Sequence, residues 1–280
     1  MKIRFLICSL FIISVCEVKA QENFSISADL KTESTNNTDF NATNIAVFYQ
    51  KKIGGKSKIA NTLEYSGLKV NYETLPYNFH TKPDQFNQMQ NNFEYLCEIS
   101  EKTKFKVSII PTANFQNQLD FSDITVMGNL SISQKLNSKT NLTIGAGRTT
   151  IFGTPKITPI VAVDYKMNEK INFKIGFPDS KISYSNNERN QFSLTNIFNG
   201  NFYHLDRNIN MDYNAEKAVL SQMTSALEYE RNVEGSWFLN FKAGYNFNKK
   251  YNLSDSSNHI VYDYNTGNGY VLGIGIKYKH

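Results

Sequence analysis

The closing segment, Gly269 to His280, constrains this chain more than any other stretch. Tyr270, Leu272, Ile274, Ile276 and Tyr278 fall on one face at period two, with Val271, Gly273, Gly275, Lys277 and Lys279 on the other. An apolar face bounded by aromatic rings and backed by glycine and lysine suits a strand lying between lipid and a polar lumen. Such a strand cannot leave its edge unpaired in hydrocarbon, so it is expected to close a sheet against the first strand of the chain.

The other end of the chain agrees. Lys2 and Arg4 precede the apolar run Phe5 to Val15, and Val18-Lys19-Ala20 ends on a small residue before Gln21. That is the charge, core and cleavage order of a secretory signal peptide. The run falls short of the ~20 apolar residues of a spanning helix. Cys16 follows Val15 instead of the small residue that precedes an acylated cysteine. The expected organisation is a signal peptide over 1–20 and a β-barrel over 21–280. Cleavage removes three cations (Lys2, Arg4, Lys19) and one anion (Glu17), taking the net charge from +5 to +3. No basic arm then remains to argue for nucleic acid. Cys97 is left as the single cysteine, which excludes a disulfide-stapled secreted scaffold. No remaining apolar run could form a spanning helix, whereas a barrel needs only every second residue to be apolar.

Alternation recurs through the mature chain. It places strands on Phe24–Leu30, Ile45–Tyr49, Leu63–Tyr72, Phe93–Ile99, Phe105–Ile109, Val126–Ile132, Leu142–Ala146, Val161–Tyr165, Ile171–Phe177, Met223–Tyr229 and Trp237–Phe247, with weaker ones at Ile182–Tyr184 and Phe192–Leu194. In the third strand the phase slips after Gly67, which predicts a bulge. Pro111 and Pro159 each remove a ladder donor and are expected near strand ends at the rim. Short polar links alternate with longer stretches at 32–43, 73–90, 199–216 and 249–268, the expected asymmetry between periplasmic turns and outer loops. The fold class predicted is all-β, a transmembrane antiparallel up-and-down barrel of about 14 strands, with about 12 the alternative. The segment Pro178 to Tyr203 decides between these counts.

At Pro159, Tyr165, Asn168, Gly176-Phe177-Pro178 and Tyr184 the chain resembles a family of uncharacterised Bacteroidota outer-membrane β-barrels known only as a domain of unknown function. The resemblance extends over most of the mature chain. It implies an outer-membrane barrel and carries over no catalytic or binding residue.

Chemistry-bearing patterns are sparse. Gly145-Ala146-Gly147-Arg148 lacks the lysine and following helix of a phosphate loop, and Gly267-Asn268-Gly269 leads into the last strand with no room for a βαβ unit. His80, His204, His259 and His280 are scattered, and His80 with Asp84 reads better as solvated loop than as metal site. Neither metal nor cofactor is expected, and no serine stands out as a nucleophile, so the reading is not an enzyme. If the apolar faces meet lipid, then Glu64, Lys69, Glu94, Glu98, Lys106, Asp164, Lys174, Glu228, Lys242 and Lys277 face the lumen. Their mixed signs predict a weakly selective pore or a lumen cross-linked by ion pairs. Glu98 is expected opposite Lys106 across the Ser100–Lys104 turn. The segment 73–90 is too apolar for a solvated tether, and Tyr77, Phe79, His80 and Phe86 are predicted to form a lid over the mouth. The functional expectation is a passive outer-membrane channel for small solutes, assembled by the barrel-assembly machinery in contact with outer-membrane lipid. A closed structural or ligand-binding barrel and a transporter of hydrophobic ligands are the alternatives.

Overall fold

The structure, a computed structural model, describes residues 23–73, 83–206 and 215–280. The expected signal peptide, and Tyr77, Phe79 and His80 of the expected lid, lie outside the described residues. The strands are β1 (Asn23–Thr35), β2 (Thr38–Ile53), β3 (Ser57–Tyr72), β4 (Gln85–Glu98), β5 (Thr103–Phe115), β6 (Ile124–Lys135), β7 (Thr140–Thr149) and β8 (Lys156–Lys166). They continue with β9 (Ile171–Phe177), β10 (Asp179–Asn187), β11 (Asn190–His204), β12 (Lys217–Glu234), β13 (Trp237–Ser254), β14 (Ile260–Asp263) and β15 (Gly269–Lys279).

Fourteen of these form a closed antiparallel barrel. Each strand pairs with its sequence neighbour, β13 pairs with β15, and β15 closes on β1 from Ser25↔Lys279 to Thr35↔Gly269. The short β14 adds only to the end of β13. The Pro178–Tyr203 segment supplies both β10 and β11, which settles the count at the higher expectation. Period-two alternation leaves Leu30, Ile109, Ile144, Ile175, Leu227 and Leu272 exposed on the outer wall, the apolar face that a barrel presents to lipid. Inward-facing Gly145, Gly176 and Gly244 lie opposite Ser131, Ala162 and Ala226. A Cβ at any of these glycines would collide with the neighbouring strand's backbone, so small residues allow the sheet to coil tightly there.

Several expectations are corrected. The β4–β5 turn closes at Thr103, because the Ser100 hydroxyl oxygen accepts the backbone N–H groups of Lys102 and Thr103. The earlier closure shifts the register by two residues from that predicted. Glu98 therefore stands opposite Lys104, and Lys106 opposite Leu96. No bulge occurs at Gly67, since β2 and β3 pair without a break from Thr38↔Tyr72 to Ile53↔Ser57. The apolar residues change sides there instead, so Leu68 and Val70 point inward and Lys69 is exposed on the outer face. Pro111 is not at a rim: it lies within β5, and the β4–β5 ladder is interrupted for two pairs there, between Gln90↔Thr112 and Phe93↔Ile109. Pro159 sits where β8 has run past the end of β9 and needs no donor on that side. The stretch 32–43 is almost wholly strand, β1 turning into β2 at residues 36–37.

At the long-loop end the ring narrows. His204 of β11 bridges Phe115 of β5 in parallel, and Asp206 accepts from Asn117 and the Gln118 backbone, so β6 to β10 drop out of the circuit. A ring of fewer strands has a bore that side chains can fill.

Candidate functional site: the lumen and its apolar plug

Along the strands, residues opposite the apolar outer face converge on a cavity of 540 Å³. Asp29, Glu64, Glu228 and Glu230 line it together with Lys31, Lys181, Lys242 and Lys277. The four carboxylates and four ammonium groups balance, so the wall carries no net sign to favour anions or cations. Glu228 is shared by Lys242 at 3.1 Å and Lys181 at 3.7 Å, Lys279 reaches Glu230 at 2.6 Å, and Glu64 accepts from the Gln90 amide at 2.7 Å.

Nearer the short-turn end, Lys106 bonds Glu94 and Lys104 bonds Glu98, both at 2.8 Å. These side chains keep between 26% and 52% of their exposure, which places them beside water and makes each pair weakly stabilising. Asp164 and Lys174 are register partners on β8 and β9, but the Lys174 ammonium turns to Asp179 at 2.5 Å. Asp29, Lys31, Lys181 and Glu230 were not among the predicted residues, although applying the same alternation to their strands would have found them.

Above this wet cavity lies a smaller space of 300 Å³ that shares Lys31, Ala42, Glu64 and Ser66 with it. Its roof is apolar. Phe40, Val70, Phe86, Tyr203, Leu205, Ala218, Tyr251, Leu253 and Tyr264 form one buried cluster. Tyr251 stacks on Tyr264 with centroids 4.5 Å apart and meets Phe40 edge-on at 5.5 Å; Phe86 stacks on Tyr203 at 4.9 Å. The Tyr72 and Tyr251 hydroxyls hydrogen-bond each other at 2.7 Å, and Tyr72 also donates to the Pro83 carbonyl.

Phe86 thus belongs to β4 and to the plug, whereas sequence reasoning put it in a loop. Lys249, Tyr251 and Leu253 reach the interior through an irregularity in β13. Asn248 adopts φ 50°, the β12–β13 register shifts there, and the side chains after it turn inward. At the underside of the plug the Lys249 ammonium bonds the Glu33 carboxylate and donates to Gln222 at 2.7 Å while lying 3.8 Å from the Phe40 ring centre. No signal in the sequence pairs Glu33 with Lys249, which meet only because the barrel closes.

Among the described residues no group of His, Cys, Asp and Glu could hold a metal ion, and no helix is long and apolar enough to cross a membrane. The chain belongs to the family described as a domain of unknown function (DUF6268), which matches residues 18–279. A search of curated proteins finds no match. Among solved structures, the COG4313 outer membrane channel from Pseudomonas putida F1 superposes with TM-score 0.51 at 7% identity, over 94% of this chain and 97% of that one. A TodX monoaromatic hydrocarbon channel mutant gives TM-score 0.46 at 9% identity, covering 93% and 91%. The KdgM porin gives 0.40 at 6%, covering 91% and 98%. The shared property is the barrel fold.

Proposed function

We propose that this DUF6268 barrel lies in the outer membrane, its short turns in the periplasm and its long loops outside, and passes small polar solutes through a lumen that the apolar plug keeps shut at rest. The observation that carries this reading is the cavity of 540 Å³ walled by balanced, partly exposed charges inside an apolar outer surface. A lumen closed by its own ion pairs would bury them, whereas Lys181 and Glu228 beside the cavity keep 43% and 29% of their exposure. Outer-membrane lipid and the barrel-assembly machinery are the expected partners. No chemical step and no cofactor enter the proposal. The plug favours a second reading, a permanently closed envelope barrel.

Planar-bilayer recording of refolded protein separates the two. The wild type is expected to be mostly closed. Tyr251→Ala, which hollows the plug, and removal of residues 77–82 of the expected lid should each raise open probability at least tenfold. Silence of all three proteins, with heat-modifiable migration intact, would discard the channel and leave the closed barrel.

A further inference from the structure

Where the ring narrows, part of its outer face is covered by the strands that have left it. The β11–β12 ladder runs unbroken from Leu194↔Leu227 to His204↔Lys217, and Leu194 and Leu227 lie on the exposed outer wall. Period-two alternation then puts Phe202, His204 and Lys217 on the outer face as well. Phe202 is nevertheless only 3% exposed.

The cover is the β7–β8 connection. β9 has 7 residues and pairs with β8 only from Val161 onward, which leaves a low wall between β8 and β11 that this connection crosses. The Thr150 hydroxyl donates to the Gly200 carbonyl of β11 at 2.8 Å. Gly153, at φ 92°, a value that favours glycine, rests against Val219, the register partner of Phe202. A Cβ at Gly200 would overlap the Thr150 carbonyl, so the glycine is what lets the connection dock.

Between the ring and the strands outside it lies a pocket of 290 Å³. Arg148 of β7 and Lys217 of β12 bring two cations to it, and Ser122, Thr125 and Thr154 bring three hydroxyls. Phe202 and Pro155 give it an apolar side. Among the described residues no carboxylate lines it, in contrast to the lumen, where acids and bases balance. The Arg148 guanidinium donates to the Val126 carbonyl at 2.5 Å, and the Lys217 ammonium to the Ser256 carbonyl at 3.3 Å and the Asn258 amide oxygen at 3.1 Å. Both cations are thus held by neutral oxygens and keep their charge unanswered. Acids of the adjoining segments are engaged elsewhere: Asp123 accepts the Asp120 amide, Asp206 accepts from Asn117 and Gln118, and Asp255 bonds His259. Glu216, exposed, adjoins Lys217 in the chain but does not line the pocket.

We propose that this pocket binds a phosphate monoester, with Arg148 and Lys217 answering its charge, the three hydroxyls donating to its oxygens, and the group that carries it lying against Phe202 and Pro155. A phosphate monoester bears about −1.5 to −2 charges near neutral pH and three strong acceptor oxygens, which matches two cations and a set of donors. A carboxylate, with a single charge and two oxygens, would leave one cation unanswered. Arginine adds a planar fork suited to phosphate oxygens. The pocket stands on this geometry alone; a lipid source for the phosphate would rest on the membrane reading above.

Calorimetric titration of the full-length barrel, refolded into phosphatidylcholine vesicles, with phenyl phosphate and with benzoate tests it, since the two probes share a ring and differ in the anion. Saturable binding of phenyl phosphate is expected, about tenfold tighter than that of benzoate. Arg148→Gln and Lys217→Gln should each weaken it about tenfold with heat-modifiable migration intact. Lys250→Gln, which removes an exposed cation outside the pocket, should leave it unchanged. Phosphatidic acid added to the vesicles separates the sources: competition that Arg148→Gln abolishes would assign the phosphate to a lipid headgroup, and indifference would assign it to a soluble ester, each with the pocket upheld. Absent binding, equal binding of benzoate, or an equal effect of Lys250→Gln would overturn the proposal even if the barrel conducts. Silent bilayers with phenyl phosphate still bound would count against the channel reading and leave the pocket standing.

Discussion

Removing one member of the Glu33–Lys249 pair should destabilise the barrel by an amount that depends on which member goes. Both side chains are almost wholly buried, at 3% and 1% exposure, and they join β1 to β13 across the interior. In Lys249→Met the Glu33 carboxylate keeps Lys31 at 2.7 Å, itself 42% exposed, and the Gln222 amide at 3.1 Å. The loss is then close to one charge-assisted hydrogen bond, about 2–3 kcal/mol. In Glu33→Gln the Lys249 ammonium keeps only uncharged favourable neighbours, the Gln222 carbonyl at 2.7 Å, the amide oxygen that replaces the carboxylate, and the Phe40 ring. A buried cation without its anion costs about 3–5 kcal/mol. The double variant buries neither charge, so its cost should fall at least about 2 kcal/mol below the sum of the single costs.

Urea unfolding of the refolded protein in lipid bilayers, carried through the double-mutant cycle, measures all three. Because both charges are shielded from solvent, the coupling should persist in about 1 M salt, where exposed pairs are screened. A coupling below about 0.5 kcal/mol, or a larger loss for Lys249→Met than for Glu33→Gln, would refute the reasoning. The first result would mean the two groups do not meet in the folded barrel. The second would mean that Lys31 and Gln222 do not support Glu33.

Two further outcomes follow from the ladder. In a Cys97→Ser background, Glu98→Cys should cross-link readily with Lys104→Cys and poorly with Lys106→Cys; the reverse preference, read on non-reducing gels, would restore the longer turn that the sequence first suggested. Deleting Gly269 to His280 strips partners from both β1 and β13, and should abolish heat-modifiable, membrane-integrated protein. A normal membrane yield of the truncated chain would show that this segment does not close the barrel.

What was legible from sequence divides at the level where the lumen changes character. Where the bore is wet, one rule holds, apolar out and polar in, and period-two reading of Trp237 to Phe247 or of Tyr270 to Tyr278 leads straight to the observed faces. Toward the loop end the bore is filled, and the rule inverts: Leu68 and Val70 turn inward and Lys69 outward, with no break in the β2–β3 ladder. Read locally, that inversion is indistinguishable from a bulge, because both shift the apolar phase by one residue. β13 contains the real irregularity, yet there the sequence reads as polar loop, since Lys249, Asn252 and Ser254 dilute the Tyr251 and Leu253 signal. The register across the Ser100–Lys104 turn escapes for a smaller reason: a hydroxyl bonding two backbone amides competes with strand pairing, and strand phase alone does not register it. The plug and its ion pair were hidden for the most basic one. Glu33 and Lys249 are separated by most of the chain, and their pairing is a property of closure, a fact about the whole ring that no local stretch encodes. The low wall between β8 and β11 follows from the same logic, since β9 is too short to fill it and the connection from β7 crosses to β11. The departures from alternation in this barrel therefore concentrate toward the loop end, at the plug, while the charged lumen that alternation reveals so readily lies below it.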